Sequence, residues 1–264
     1  MATDELLVEK DGDVLWLTLN RPARLNALDG ALVAELRAVF TGLYRRRDVR
    51  VVALRGAGRG FCAGLDLKET PADFTSRDVG PLLDSQRDIA EIVIAMRRCP
   101  QPIVALVGGA ASGGGFALAL AADVRLATPS AVFNAAFIKL GLSACDIGVS
   151  YFLPRMIGSS IAAELLLTGD FIDARRALAL GLVSRVVEDG ELEGEARAII
   201  GRMLAATPVG LRLTKEALNH SIDASGLEAA IAMEDRNQIL CVKDRDFAEG
   251  IAAFLEKRAP VYKP

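Results

Sequence analysis

The 264-residue chain has a single histidine, no HxxxH, no CxxC, and four cysteines, Cys62, Cys99, Cys145 and Cys241, that lie far apart. No set of His, Cys, Asp or Glu has the spacing of metal ligands, so a metal bound by the protein is not expected. Scattered cysteines fit a reducing compartment better than a disulfide scaffold. Positive charge is not in excess either: 31 Lys and Arg stand against 34 Asp and Glu, for a net charge of −3. Nucleic acid is therefore not an expected partner. The opening MATDELLVEK is acidic, not the basic-then-apolar start of a secretory signal, and a cytoplasmic location is expected. Without a secretory route the sequon-like Asn219-His220-Ser221 carries no meaning for glycosylation.

What the chain does have is apolar residues, 52% of positions, enough for one large domain with a full core. Ile103 to Ala122 runs twenty residues without a charge, the bare length of a membrane span. Its interior GGAASGGG breaks any helix, leaving a β-rich run, IVALV, and a short Ala/Leu-rich helix, so no membrane segment is expected. Apolar segments 6–8 and 14–19 flank Asp11-Gly12-Asp13 as a hairpin. Asp29 reads as the N-cap of a helix carrying Leu32, Val33, Leu36, Val39, Phe40 and Leu43, closed by Arg45-Arg46-Arg47. Strands at 51–54 and 103–107 each run into glycines. Between them a polar loop is expected from Glu69 to Asp84 and a helix from about Ser85 to Arg98. Beyond, helical spacing marks 159–167, 174–180, 191–206, 208–221, 227–241 and 247–257. The expectation is an α/β core over residues 1–206 and a helical C-terminal region over 207–264.

Two glycine-rich constellations could carry chemistry. In VVALRGAGRGFCAGLDL, residues 51–67, a strand feeds a glycine loop, but Phe61 stands where a dinucleotide fingerprint needs its third glycine and no helix opens there. Glycines that only turn the chain are the plain alternative. The second, Gly113-Gly114-Gly115, opens the apolar helix FALALAA; unpaired N–H groups and the positive dipole end at such a start suit a developing oxyanion, although a triplet can also be a close-packing point. Ser112, Asp146 and His220 follow the chain order of an α/β-hydrolase triad, but Ala110 occupies the first glycine position of the nucleophile elbow.

Together these stretches resemble the enoyl-CoA hydratase/isomerase, or crotonase, superfamily. The resemblance is carried by LNRPARLNAL (19–28), DVRVVALRGAGRGFCAGLDL (48–67), PIVALVGGAASGGGFALALAADVRLA (102–127) and LLLTGDFIDARRALALGLVSRVV (165–187), in that order and spacing. It implies a spiral of ββα turns followed by C-terminal helices that complete the site and assemble homotrimers, often paired into hexamers. It also implies an acyl-CoA thioester as substrate, with coenzyme A arriving as part of it and no cofactor held by the protein. The backbone N–H groups of Leu65 and Gly114 would form the oxyanion hole. The CoA portion would lie along Arg24, Ala27, Ala63, Asp66 and Leu67, with Lys257 a looser candidate for a phosphate contact, including one to the CoA of a neighbouring subunit.

The departures from that resemblance narrow the chemistry. Hydratases of the family carry two glutamates that position and activate water, and the matching residues here are Ala117 and Phe137. The segment AFIKLGLSACDIGVSYFLPRMIG places Asp146 eight residues before Pro154, similar to the aspartate-dependent isomerase branches, the dienoyl-CoA isomerases and the ring-opening isomerases of phenylacetate breakdown. There the aspartate moves a proton along the acyl chain. The spacing from Gly141 to Asp146 is one residue longer than in those branches, which leaves the aim of the carboxylate to the structure. Asp146 is the one acidic residue between Asp123 and Glu164, in apolar surroundings that would raise its pKa toward that of a working base. A cap or turn role beside Gly148 is the alternative. Asp146, Leu65 and Gly114 are thus the catalytic candidates. Double-bond isomerisation is favoured over a hydratase using Asp146 and water, and over an acyl-CoA-binding protein without catalysis. Phe116, Phe133 and Phe137 either shape an acyl pocket or simply pack.

Overall fold

The computed structural model describes residues 4–69 and 78–262. Its centre is a six-stranded sheet in the order β1-β2-β3-β4-β6-β9. The strands are β1 (Leu6–Asp11), β2 (Val14–Leu19), β3 (Val51–Gly56), β4 (Ile103–Val107), β6 (Val124–Ala127) and β9 (Arg185–Val186). The β1–β2 hairpin turns at Gly12 and is antiparallel; every later pairing in this sheet is parallel. The apolar runs of β2, β3 and β4 follow, because both faces of the sheet are covered. Leu15, Leu17 and Leu19 of β2 face the main core, while Val14 and Trp16, one position out of phase, face α7 (Leu192–Leu204) through Ala196 and Ile200. A smaller sheet, β5-β7-β8, is built from Ala110–Ser112, Val132–Asn134 and Ile172–Asp173.

Helix α1 (Gly30–Leu43) starts where the spacing predicts, with the Asp29 carboxylate accepting the Leu32 N–H at 2.9 Å. Helix α2 (Val79–Arg98) starts earlier than predicted. Asp78 caps it and accepts from the Gly80 N–H, so residues 79–84, expected as loop, form its first turns. Gly80 and Pro81 read as breakers, yet a proline in the first turn gives up no intrahelical hydrogen bond. Residues 70–77 of the expected loop lie outside the described residues. The uncharged run from Ile103 divides into β4 and α3 (Gly114–Ala121), as its glycines imply, with the unexpected short strand β5 between them. Among the described residues no helix is long and apolar enough to cross a membrane.

Helix α4 (Val149–Ile157) was not apparent in the sequence, because Gly148 precedes it and Pro154 sits inside it. Burial of Val149, Phe152, Leu153 and Ile157 on one face holds it nonetheless. Helices α5 (Ser159–Thr168) and α6 (Ala174–Ala179) lead on to β9 and α7. Past Thr207, which caps α8 (Pro208–Ser221) by accepting from the Gly210 N–H, the chain is helical. Buried Lys215 fastens α8 to the end of α2, donating to the Met96 and Gln101 carbonyls at 2.9 and 2.8 Å and pairing with Asp123 at 3.0 Å. Helices α9 (Leu227–Lys243) and α10 (Asp246–Glu256) leave Leu227, Ile239, Leu240, Phe254 and Leu255 exposed.

Candidate active site

The site grows out of four extended segments laid side by side. Leu28 bridges Leu65 in parallel fashion, with the Leu28 N–H donating to Gly64 O at 2.7 Å and the Asp66 N–H to Leu28 O at 2.9 Å. That pattern turns the N–H of Leu65 to the opposite side. Cys62 bridges Ala111 in the same way, and Ala111 pairs with Phe133 of β7. On the far side of the 62–66 segment stands the start of α3. A Cβ on Gly64, whose φ is +95°, would come within 2.8 Å of Ser112 O and 3.2 Å of Gly114 N; one on Gly115 would meet Cys62 O at 2.0 Å. Only glycine permits this approach, and it brings the Gly64-Leu65 peptide against Gly113-Gly114. Neither the Leu65 nor the Gly114 N–H has a hydrogen-bond acceptor among the described residues. Gly114 also begins a helix, where the dipole favours negative charge.

Asp146 approaches from the loop before α4. The Cδ1 atom of its neighbour Ile147 lies 3.8 Å from where a Cβ on Gly114 would stand, so this loop borders the paired N–H groups. The carboxylate is half-buried. Its Oδ1 accepts from Gln86 Nε2 of α2 at 2.6 Å and from the Ile147 N–H at 2.8 Å. Burial pushes its pKa up, and those two donors pull only part of the way back. A carboxyl group in this state holds a proton more readily than a surface aspartate and can still release it. Cys62 is no rival nucleophile: complete burial pushes its thiol up to about 12. A hydrolase triad is not assembled, since Asp146 is paired with Gln86 and Ile147 rather than with His220.

The model of the family described as enoyl-CoA hydratase/isomerase matches residues 9–264. The chain belongs to the enoyl-CoA hydratase/isomerase family. It is 41% identical over 254 residues to a Mycobacterium bovis protein named "Probable enoyl-CoA hydratase", covering 95% of this chain and 89% of that one. It is 36% identical over 259 residues to the 1,2-epoxyphenylacetyl-CoA isomerase of Escherichia coli, covering 97% of each. Among solved structures, the enoyl-CoA hydratase from Bacillus anthracis superposes with a TM-score of 0.92 at 34% identity, covering 98% of this chain and 99% of that one.

Within this enoyl-CoA hydratase/isomerase fold the candidate CoA residues do not behave alike. Ala27 and Ala63 flank the bridged segments, Leu67 is exposed, and Arg24 is exposed and paired with Glu69 at 3.4 Å. Asp66, only 5% exposed, is turned inward to Arg21 at 3.1 Å and accepts the Lys68 N–H. Burial works against its charge, but Lys68 and Arg21 prevail and hold its pKa below the usual range. Lys257, at the end of α10, is exposed and has no ion-pair partner among the described residues. Ala117 is wholly buried. The Phe137 ring lies 3.6 Å from where a Cβ on Gly113 would be. Phe116 and Phe133 are core residues with ring centroids 6.0 Å apart, which makes them packing.

Sequence reasoning missed three residues that fix this geometry. Buried Arg21 joins Asp29 at 2.9 Å, Asp66 and Glu69, tying the cap of α1 to the residue after Leu65. Buried Asn26, at φ +55°, accepts the Arg21 N–H and donates to Ala57 O and Gly60 O, stapling the 20–28 loop to the glycine loop. Gln86 is the third. Asparagine's tolerance of the left-handed region was the one local signal, and it is weak.

Proposed function

We propose that this enzyme isomerises a double bond in an acyl-CoA thioester, with Asp146 as the sole carboxylate moving the proton. The observation that carries the reading is the half-buried Asp146 carboxylate of raised pKa beside two backbone N–H groups that have no acceptor among the described residues, with apolar Ala117 and Phe137 at the positions that the family resemblance matches to glutamates. The thioester oxygen would sit between the N–H groups of Leu65 and Gly114. For a 3-enoyl-CoA, ionised Asp146 takes a proton from C2; the C–H electron pair moves into the enolate, whose oxygen the two donors stabilise. The same carboxyl then returns the proton to C4 as the double bond settles between C2 and C3. One such donor is worth about 3 to 4 kcal/mol of transition-state stabilisation. Removal and return by one group need no second carboxylate, whereas adding water ordinarily uses two.

Arg24, Ala27, Ala63 and Leu67 would line the CoA path, with Asp66 contributing from beneath through Arg21. Residues 1–206 are read as the catalytic core and 207–264 as the region that completes the site and joins subunits. The exposed apolar residues of α9 and α10 support assembly into trimers or hexamers, which would bring Lys257 to a neighbour's CoA. The four free cysteines support a cytoplasmic setting. A ring-opening isomerisation is within the same reading, and the Escherichia coli relative named for an epoxyphenylacetyl-CoA favours testing it. Hydration by Asp146 and water is the second reading, favoured by the name of the Mycobacterium bovis relative.

The test is Asp146→Asn assayed on 3-enoyl-CoA with CoA-thioester binding measured in parallel. A loss of about 10²- to 10⁴-fold in kcat with binding kept is expected. Retained turnover would overturn the role of Asp146, and wild-type protein that binds thioesters but turns none over would identify a binding protein.

A further inference from the structure

Gln86 lies in the second turn of α2, sixty residues from Asp146 in sequence, yet its amide nitrogen stands 2.6 Å from Asp146 Oδ1. The Ile147 N–H reaches the same oxygen at 2.8 Å, and the Asp146 carbonyl accepts the Val149 N–H at 2.8 Å. Ile147 has a φ of +35°. A β-branched residue enters that region only under strain, and the surrounding structure must hold it there. The carboxylate is thus held by two hydrogen bonds, both on one oxygen, while the Val149 N–H and the strained turn fix its backbone. Oδ2 has no donor among the described residues. An ionised carboxylate can only accept, so the Gln86 amide presents its N–H, and that bond persists, though weaker, when the carboxyl becomes neutral with its proton on Oδ2.

We infer that Gln86 is a positioning residue that occupies Oδ1 of Asp146 and thereby makes Oδ2 the single atom that takes and returns the substrate proton. The inference rests on the reading of Asp146 as proton carrier. Its consequence is mechanical: between removal from one carbon and return to another, no hydrogen bond on the protein side has to break. It also makes the N-terminal half of α2 part of the catalytic apparatus.

Gln86→Leu and Gln86→Glu separate positioning from packing. In Gln86→Leu the ionised carboxylate loses a donor, so the acidic limb of the kcat/KM profile on 3-enoyl-CoA should move to higher pH by about one to two units. In Gln86→Glu a second carboxylate faces the first, and the limb should move at least as far in the same direction. CoA-thioester binding should change little in either variant. A fall in kcat uniform across pH in both variants, with the limb unmoved, would mean a packing role and overturn the inference while leaving Asp146 in place. Full activity in Asp146→Asn would instead overturn the reading beneath it.

Discussion

The two sides of the site are built from different material. The side holding the paired N–H groups is mainly backbone, braced by the Arg21 and Asn26 side chains: segments 25–28, 62–66 and 110–114 lie in hydrogen-bonded register, largely buried, with glycines where chains touch. The side holding Asp146 is a half-buried loop aimed by one side chain from α2 and by a strained turn. Backbone donors can be fixed by sheet register alone, whereas an acid/base that must change protonation needs partial exposure and adjustable partners. One side is therefore rigid by construction and the other is tuned.

Breaking the rigid side should cost most. Arg21→Met removes the cation between Asp29 and Asp66, both largely buried, and about 3 to 5 kcal/mol of stability should go with it, read as a lowered midpoint in urea unfolding. If the midpoint holds, the network does not support the Leu65 segment. Gly64→Ala forces a Cβ to within 2.8 Å of Ser112 O at a positive φ. About 10²- to 10³-fold in kcat should be lost, with thioester binding weakened far less. An unchanged kcat would separate Leu65 from the oxyanion.

The tuned side should answer to pH instead. Because burial raises the Asp146 pKa, and the base works ionised, kcat/KM should fall about tenfold per pH unit below a midpoint lying above that of an ordinary aspartate. A midpoint in the ordinary range would mean that the carboxylate is not desolvated in the working enzyme. The smallest effect concerns stability. A folded pKa raised above the unfolded value is a penalty that sets in as pH rises through the window between the two and persists above it. Asp146→Asn, which keeps an acceptor for Gln86, should therefore unfold at a slightly higher Tm at neutral pH. A clear drop in Tm would show the carboxylate to be structural.

The same contrast decides how far the sequence could be read. Sheet strands, the cap at Asp29 and the glycine pairing were accessible because alternation, helical spacing and missing side chains are local signals. Arg21, Asn26 and Gln86 were not, since each acts on a segment brought near only by the fold, and an isolated polar residue in a loop or on a helix carries no periodic mark. The early start of α2 and the whole of α4 were hidden by Pro81 and Pro154; Pro81 lies in a first turn, where its missing N–H costs no bond, and the buried face of Val149, Phe152, Leu153 and Ile157 holds α4 despite Pro154. Two-residue strands such as β8 and β9 are shorter than any alternation can register.

The central claim is that one carboxylate over a backbone oxyanion site shifts a proton rather than adding water. The most direct measurement offers the wild-type enzyme a 2-enoyl-CoA and a 3-enoyl-CoA and follows hydration and double-bond migration separately. Migration without appreciable hydration is the predicted result, and vigorous hydration of the 2-enoyl-CoA would contradict it.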